Sequence, residues 1–194
     1  MPQPDVKQTF GPSRRALLRA GLAGGFVLGV EFASGRVALA QEGAAAGEFA
    51  PDAFIRVPAT GPVTLIMPQV EMGQGIYTAL TMLIAEEMDL DLTQVVLKAA
   101  PASDALYGNP LLKIQVTGGS TSVRAFWTPL RTAGATARTM LVAAAAAKWR
   151  VPASECRSMS GTIFHDPSQR SASYGSLAAL AAGEPVSYTH LTLP

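Results

Sequence analysis

The sequence has a single cysteine, Cys156, in 194 residues. That excludes an internal disulfide, and with no base near it in sequence Cys156 reads as a small apolar residue rather than a nucleophile. Histidine is almost as scarce: there are only His165 and His190, and neither has metal-ligand spacing. Charge is sparse too, at 15% of residues, with no block of one sign. Between residues 41 and 185, ten Lys and Arg face twelve Asp and Glu, a net of −2, so the +1 of the whole chain comes from its first residues. Without a basic stripe interleaved with aromatics, nucleic acid is excluded as a partner. Long hydrophobic runs are missing as well. The apolar stretch 20–30 is rich in Gly and Ala and falls short of the roughly 20 residues a membrane-spanning helix needs.

What stands around that stretch is an export pattern. Ser13, Arg14 and Arg15 precede it and the small residues Ala38 and Ala40 follow it. Basic, apolar, then small is the order of a secretory signal, and the paired arginines with a weak apolar core resemble a twin-arginine (Tat) signal. Residues 1–40 are therefore expected to be a Tat-type signal peptide, and the destination periplasmic or exported. At the other end, residues 186–194, "VSYTHLTLP", are what the adaptor of transposon-based sequencing libraries encodes in frame. The protein's own sequence is expected to stop near Pro185, as a truncated piece of a longer frame, and His190 is given no chemistry.

Residues 41–53 are small and polar and read as a linker. The remainder, 54–185, is long enough to enclose a core. Val63–Met67 is a short apolar run between Gly-Pro and a proline and reads as a buried strand. Residues 76–88 place Ile76, Leu80, Leu83 and Ile84 on one helical face, with Glu86, Glu87 and Asp89 expected in solvent. Val95–Ala99 reads as a second strand and 113–117 as a third. A long helix is expected over 123–149, with Pro129 a candidate for its first turn. "SMSGTIFHD" suggests a hairpin arm, and Ser173 a cap for the last helix. The order is a mixed α/β (α+β) pattern without internal repeats.

Two segments share one local design. "MPQVEMGQGIYT" and "KIQVTGGSTSVRAF" each run from an apolar stretch through a glycine turn into a helix. Glycine reaches positive φ and lets backbone approach a ligand, and free amides at a helix start attract anions. Gln74 offers a donor and an acceptor, and Ser120, Thr121 and Ser122 offer hydroxyls. Either segment alone is as well explained by an ordinary capped turn. Neither is a Walker A loop, and neither has the GxGxxG of a dinucleotide fold. Taken together they suit a flat, polar, phosphate-bearing cofactor. A non-catalytic exported domain for a small anionic or phosphorylated ligand would explain the same turns.

The pair in this order, with "YGNP" between them and an alanine-rich helix after, resembles the molybdenum-binding large subunit of the xanthine dehydrogenase/aldehyde oxidase family, in its isoquinoline 1-oxidoreductase-like branch. The resemblance covers roughly 54–180. It implies that 54–185 is part of the family's molybdopterin-binding domain. Gly73, Gln74 and Gly75 would line the pterin and the molybdenum end, and Gly118, Gly119, Ser120, Thr121 and Ser122 would hold its phosphate region. It implies molybdopterin cytosine dinucleotide as cofactor, with no protein ligand to the metal. It also implies a separate small subunit carrying [2Fe–2S] clusters, and hydroxylation of an N-heteroaromatic or aldehyde substrate with oxygen from water. The family's catalytic glutamate lies in a later motif, so no catalytic residue is carried onto this chain, which alone is expected to be inactive.

Other residues read more plainly. Arg124, Arg131 and Arg138 recur every seven residues and are expected to form a solvated stripe, although cofactor phosphate or a partner subunit could meet them. Trp127 and Trp149 read as packing residues. Tyr107 and Asn109 belong to a turn that could face a substrate entrance. His165 and Asp166 lie in a turn with no triad around them.

Overall fold

A computed structural model describes residues 52–185, together with Glu48 and Ala50. The expected signal (1–40), most of the linker (41–53) and the tail (186–194) lie outside the described residues.

The first layer is a βαβ unit. Strand β1 (Ile55–Arg56) pairs antiparallel with β2 (Val63–Met67), and β2 pairs parallel with β3 (Val95–Ala99). Parallel neighbours need a crossover, supplied here by helix α1 (Ile76–Glu87). A four-residue helix α2 (Asp104–Tyr107) follows, then the long α3 (Ser122–Trp149). An antiparallel meander, β4 (Cys156–Met159), β5 (Thr162–His165) and β6 (Arg170–Ser173), precedes helix α4 (Tyr174–Ala181). Ser173 caps α4, its Oγ accepting from the Ser176 amide at 3.3 Å. The architecture is mixed α/β, with the two sheets in separate parts of the chain.

The core lies between α1, α3 and the β1–β3 sheet. Leu65, Leu80, Ile84, Phe126, Leu130 and Leu141 are fully buried there. Helix α3 faces α1 with small residues, and Gly134 marks the closest approach. A Cβ at Gly134 would lie 2.8 Å from the Ile84 carbonyl oxygen and 2.9 Å from the Glu87 Cβ. Beside that contact, the Arg131 guanidinium puts Nε and Nη2 on one Glu87 oxygen at 2.8 and 2.7 Å. The two side chains are 4% and 0% exposed.

Five expectations are corrected. Glu87 is not in solvent, because it lies on the α1 face that meets α3; Arg131 leaves the supposed solvated stripe to neutralise it. Pro129 does not start α3. The helix begins at Ser122, seven residues earlier, where the Gly118–Thr121 turn sets its first amides, and burial of Phe126 and Leu130 on either side of Pro129 holds the helix through it. Residues 113–117 form no strand. Lys113 has φ 63°, and Gln115 bonds back to α2 instead of a sheet, its amide to Asp104 at 2.6 Å and its Oε1 to the Ser103 amide at 2.9 Å. Trp127 is 46% exposed, with the Arg131 guanidinium 5.5 Å from its ring centre, whereas Trp149 packs against the core as expected.

This packing has two consequences for stability. Removing one partner of a buried ion pair strands the other charge and costs about 3–5 kcal/mol, while replacing both with apolar residues is often neutral. Arg131→Met is therefore expected to lower the denaturation midpoint sharply, and Arg131→Met with Glu87→Leu to recover most of the loss. The second concerns Asp52, whose Oδ1 accepts the Phe54 and Ile55 amides at 2.7 and 3.1 Å while Oδ2 is buried without a partner. Burial pushes this carboxyl up to about 6. A raised carboxyl favours the fold fully below its unfolded value near 3.8, and that contribution is lost as pH rises through about 6. Thermal melts of Asp52→Asn against wild type are expected to diverge in the variant's favour between pH 4 and pH 7.

Candidate functional site

Strands β2 and β3 run parallel and end together at Met67 and Ala99. In open α/β sheets, ligands bind beyond the carboxyl ends of parallel strands. Here those ends open into a shallow cleft of about 260 Å³ lined by Met67–Val70, Ala99, Ala100, Ala102 and Gln115–Thr117. Both glycine segments rise beside it.

The structure joins the two segments directly. Ser122 donates to the Gln69 Oε1 at 2.7 Å, and the Val70 amide donates to the Thr117 Oγ1 at 2.9 Å. Gln69 is 2% exposed, so its bond to Ser122 at the start of α3 is part-buried, while the Val70–Thr117 bond lies at the surface. Asn109, fully buried, braces the joint from a third side. Its Nδ2 donates to Thr121 Oγ1 at 2.7 Å, and its Oδ1 accepts the Leu111 and Leu112 amides at 2.9 and 3.3 Å. Thr121 in turn donates to the Gly118 carbonyl at 2.8 Å. Asn109 thus faces inward, not toward a substrate entrance, and Tyr107 is buried with its hydroxyl on the Ala53 carbonyl at 3.2 Å.

The first glycine turn has the backbone that glycine alone adopts readily. Gly73 and Gly75 sit at φ 92° and 79°, and a Cβ on either would meet nothing within 4 Å. The glycines are thus required by backbone conformation and not by crowding. Gln74 is exposed, with its side chain folded back along the turn. Its Nε2 donates to the Val70 carbonyl at 2.8 Å and its Oε1 accepts the Met72 amide. The residue that sequence reasoning missed is Glu71. One of its oxygens accepts the Gly73 and Gly75 amides at 2.7 and 3.0 Å, and the other accepts the Tyr77 amide at 3.0 Å. Those hydrogen bonds, the Tyr77 amide foremost and then Gly75, hold its carboxyl below the usual carboxylate range. An acidic residue just before a helix start was the available signal, since the positive end of a helix favours a carboxylate.

In the second turn, Gly119 and Ser120 have φ 62° and 51°. Ser120 is exposed; Thr121 and Ser122 are engaged as described. The first amides of α3 have no intrahelical partner by helix geometry. Exposed apolar side chains surround the site: Val70, Met72, Leu111, Leu112, Ile114 and Val123. Among the described residues no His, Cys, Asp and Glu cluster could hold a metal ion directly, and no helix is long and apolar enough to cross a membrane. Far from the site, His165 bonds Ser168 Oγ at 2.6 Å through Nδ1 and Glu155 Oε2 at 2.9 Å through Nε2. This three-residue relay ties β5 to its flanking turns, and nothing in the local sequence pattern marks it.

Asn109→Ala would strip the support from both the 109–114 turn and Thr121. Leaving buried partners unsatisfied costs about 1–3 kcal/mol. The denaturation midpoint is expected to fall accordingly, with faster amide exchange at Leu111, Leu112 and the first turn of α3.

Comparison with known proteins supplies the family. The model of a molybdopterin cofactor-binding domain matches residues 15–192. The chain is 39% identical over 191 residues to the beta chain of isoquinoline 1-oxidoreductase from Brevundimonas diminuta, covering 96% of this chain and 24% of that protein. It is 36% identical over 96 residues to a membrane-bound aldehyde dehydrogenase [pyrroloquinoline-quinone] of Gluconacetobacter polyoxogenes, covering 50% of this chain and 12% of that one. It is 33% identical over 116 residues to a nicotinate dehydrogenase subunit of Pseudomonas putida, covering 57% and 9%. Solved structures that overlay in part are quinoline 2-oxidoreductase from Pseudomonas putida 86, with TM-score 0.44, 14% identity, and 70% and 17% coverage; and CO dehydrogenase from Oligotropha carboxidovorans, with TM-score 0.46, 20% identity, and 64% and 15% coverage. The chain thus spans about a quarter of the length of the first of these relatives. With the family model matching most of its length, this chain belongs to the molybdopterin cofactor-binding domain family.

Proposed function

We propose that this chain is the amino-terminal part of the large subunit of a molybdenum hydroxylase, and that its two glycine turns hold one side of the cofactor. The observation that carries the reading is the joint of Gln69 with Ser122 and of Val70 with Thr117, which sets the two turns side by side, next to the cleft at the strand ends that Val70 and Thr117 line.

The residues suit such a group. The Gly73, Gly75 and Tyr77 amides are taken by the Glu71 carboxylate, which leaves the exposed Gln74 amide, with its second N–H and lone pair, as the donor and acceptor this turn offers a ligand. The space above Gly73, Gly75 and Gly118 is open. Gly73, Gln74 and Gly75 would meet the pterin and the metal end, Gln74 by hydrogen bonds from its amide. Gly118, Gly119, Ser120, Thr121 and Ser122 would meet phosphate oxygens through backbone amides and the exposed Ser120 hydroxyl, since the Thr121 and Ser122 hydroxyls already donate to Gly118 and Gln69. When bound, the cofactor supplies a redox centre at which a substrate carbon gains a hydroxyl oxygen from water and gives up two electrons. This chain's residues orient the cofactor and exclude solvent from one side of it.

The finer assignments rest on the family resemblance: molybdopterin cytosine dinucleotide as the form of the cofactor, a small [2Fe–2S] subunit as electron acceptor, and an N-heteroaromatic or aldehyde substrate. The relatives named for isoquinoline and nicotinate support the first substrate class. Export through the Tat route, after loading in the cytoplasm, follows from the signal pattern around Arg14 and Arg15, since that route carries folded proteins.

The complete large subunit, purified with its small partner, is expected to carry stoichiometric molybdenum by mass spectrometry, release a fluorescent pterin on acid oxidation, and yield cytidine monophosphate on hydrolysis. One relative is named for pyrroloquinoline quinone; recovery of that quinone in place of molybdenum and pterin would overturn the reading. The chain by itself is expected to retain no molybdenum, because it supplies one side of the site.

A further inference from the structure

We propose that Glu71 is the positioning residue of this site: its carboxylate fixes the first glycine turn, from which the Gln74 side chain meets the cofactor. The proposal rests on the cofactor reading above.

Packing does not hold the turn. Val70 and Met72 are 59% and 70% exposed, and no atom lies within 4 Å of where a Cβ would stand at Gly73 or Gly75. Both glycines have a φ that the rest of the chain does not enforce by contact. Polar bonds hold it instead, and they fall into two sets. Gln74 supplies two, to Val70 and Met72, and Glu71 supplies three, from Gly73, Gly75 and Tyr77. Gln74 is exposed and keeps a second N–H and a second carbonyl lone pair for a ligand, but its two bonds within the turn are neutral ones. The Glu71 set therefore keeps Gly73–Gly75 in shape whichever partners Gln74 takes. These are charge-assisted bonds, about twice as strong as neutral ones, and they tie the turn to the first amides of α1, which the core holds through Ile76 and Leu80. Glu71 is thereby the anchor of the turn and Gln74 its contact with the cofactor.

The test uses the complete large subunit with its small partner, carrying Glu71→Ala, Glu71→Gln, Gln74→Ala or the Glu71→Ala/Gln74→Ala pair. Molybdenum content, melting temperature and the Mo(V) electron paramagnetic resonance signal are read for each. In the loaded fraction, Glu71→Ala is expected to shift the Mo(V) signal as Gln74→Ala does, and the double variant to add nothing, as coupled residues do. Glu71→Gln keeps an oxygen for the Gly73 and Gly75 amides but loses the charge and the Tyr77 bond, so it is expected to shift the signal less than Glu71→Ala does. A wild-type signal in loaded Glu71→Ala, whatever its melting temperature, would reduce Glu71 to a helix cap and overturn the proposal. Should Glu71→Ala not load, amide exchange in this chain decides. Gly75 and Tyr77 are expected to exchange about tenfold faster or more in the variant, given the strength of bonds to a charged acceptor, and an unchanged rate would overturn the proposal. A wild-type complex that binds no molybdenum would overturn the cofactor reading itself and this proposal with it. A molybdenum-loaded wild type with no Glu71 effect overturns this proposal alone.

Discussion

The close approach of α1 and α3 at Gly134 is the constraint from which the rest of the described structure follows. With a Cβ at that position the helices could not come this near, since it would stand inside contact distance of the Ile84 carbonyl. Because they do, Glu87 loses its water, and a carboxylate at the C-terminal end of a helix also meets the unfavourable end of the helix dipole. Arg131, one turn before Gly134 on the facing helix, supplies the charge that makes this tolerable. The pair adds little net stability by itself, as buried pairs seldom do. It does set the register of the two helices, because only one alignment brings the guanidinium onto the carboxylate.

That register carries through to the site. Helix α1 begins at the first glycine turn and α3 at the second. Fixing one helix against the other fixes the distance between the two turns, and the bonds of Gln69 with Ser122 and Val70 with Thr117 close the remaining freedom. The βαβ crossover puts the first turn at the strand ends, and Asn109 holds the intervening loop against Thr121. The site is thus assembled by helix packing from below and by polar contacts from the sides, with its outward rim left apolar. Such a rim is ordinary for a surface that another part of a larger protein covers.

The meander of β4–β6 has a different role. It packs through Ile163 and the Tyr174–Leu177 turn of α4 against the far end of α3, and Tyr174 donates to the Met88 carbonyl that closes α1. Burial pushes that phenol's pKa well up, which keeps it neutral and a donor throughout the ordinary pH range. The end of α1 remote from the site is therefore tied down independently of the end that carries the glycine turn.

Much of this was legible in the chain. The strands Val63–Met67 and Val95–Ala99, the helix between them, the capping serine at 173 and the pairing of two glycine segments follow from local pattern, because apolar periodicity and turn chemistry act over a few residues. The family, too, could be read from "EMGQG" with "TGGSTS". What the sequence could not display are the contacts between residues far apart along the chain. Glu87 and Arg131 look like solvent-facing charges until two helices meet. Residues 113–117 look like a strand until Gln115 finds Asp104 and Ser103. Asn109 looks like a surface turn until Thr121 buries it. Glu71 looks like one more acid until the turn folds three amides onto it. Local sequence determined which elements form and where glycine is needed; tertiary packing decided which charges are buried and which polar groups hold the site, because desolvation and pairing depend on neighbours that only the folded chain brings together.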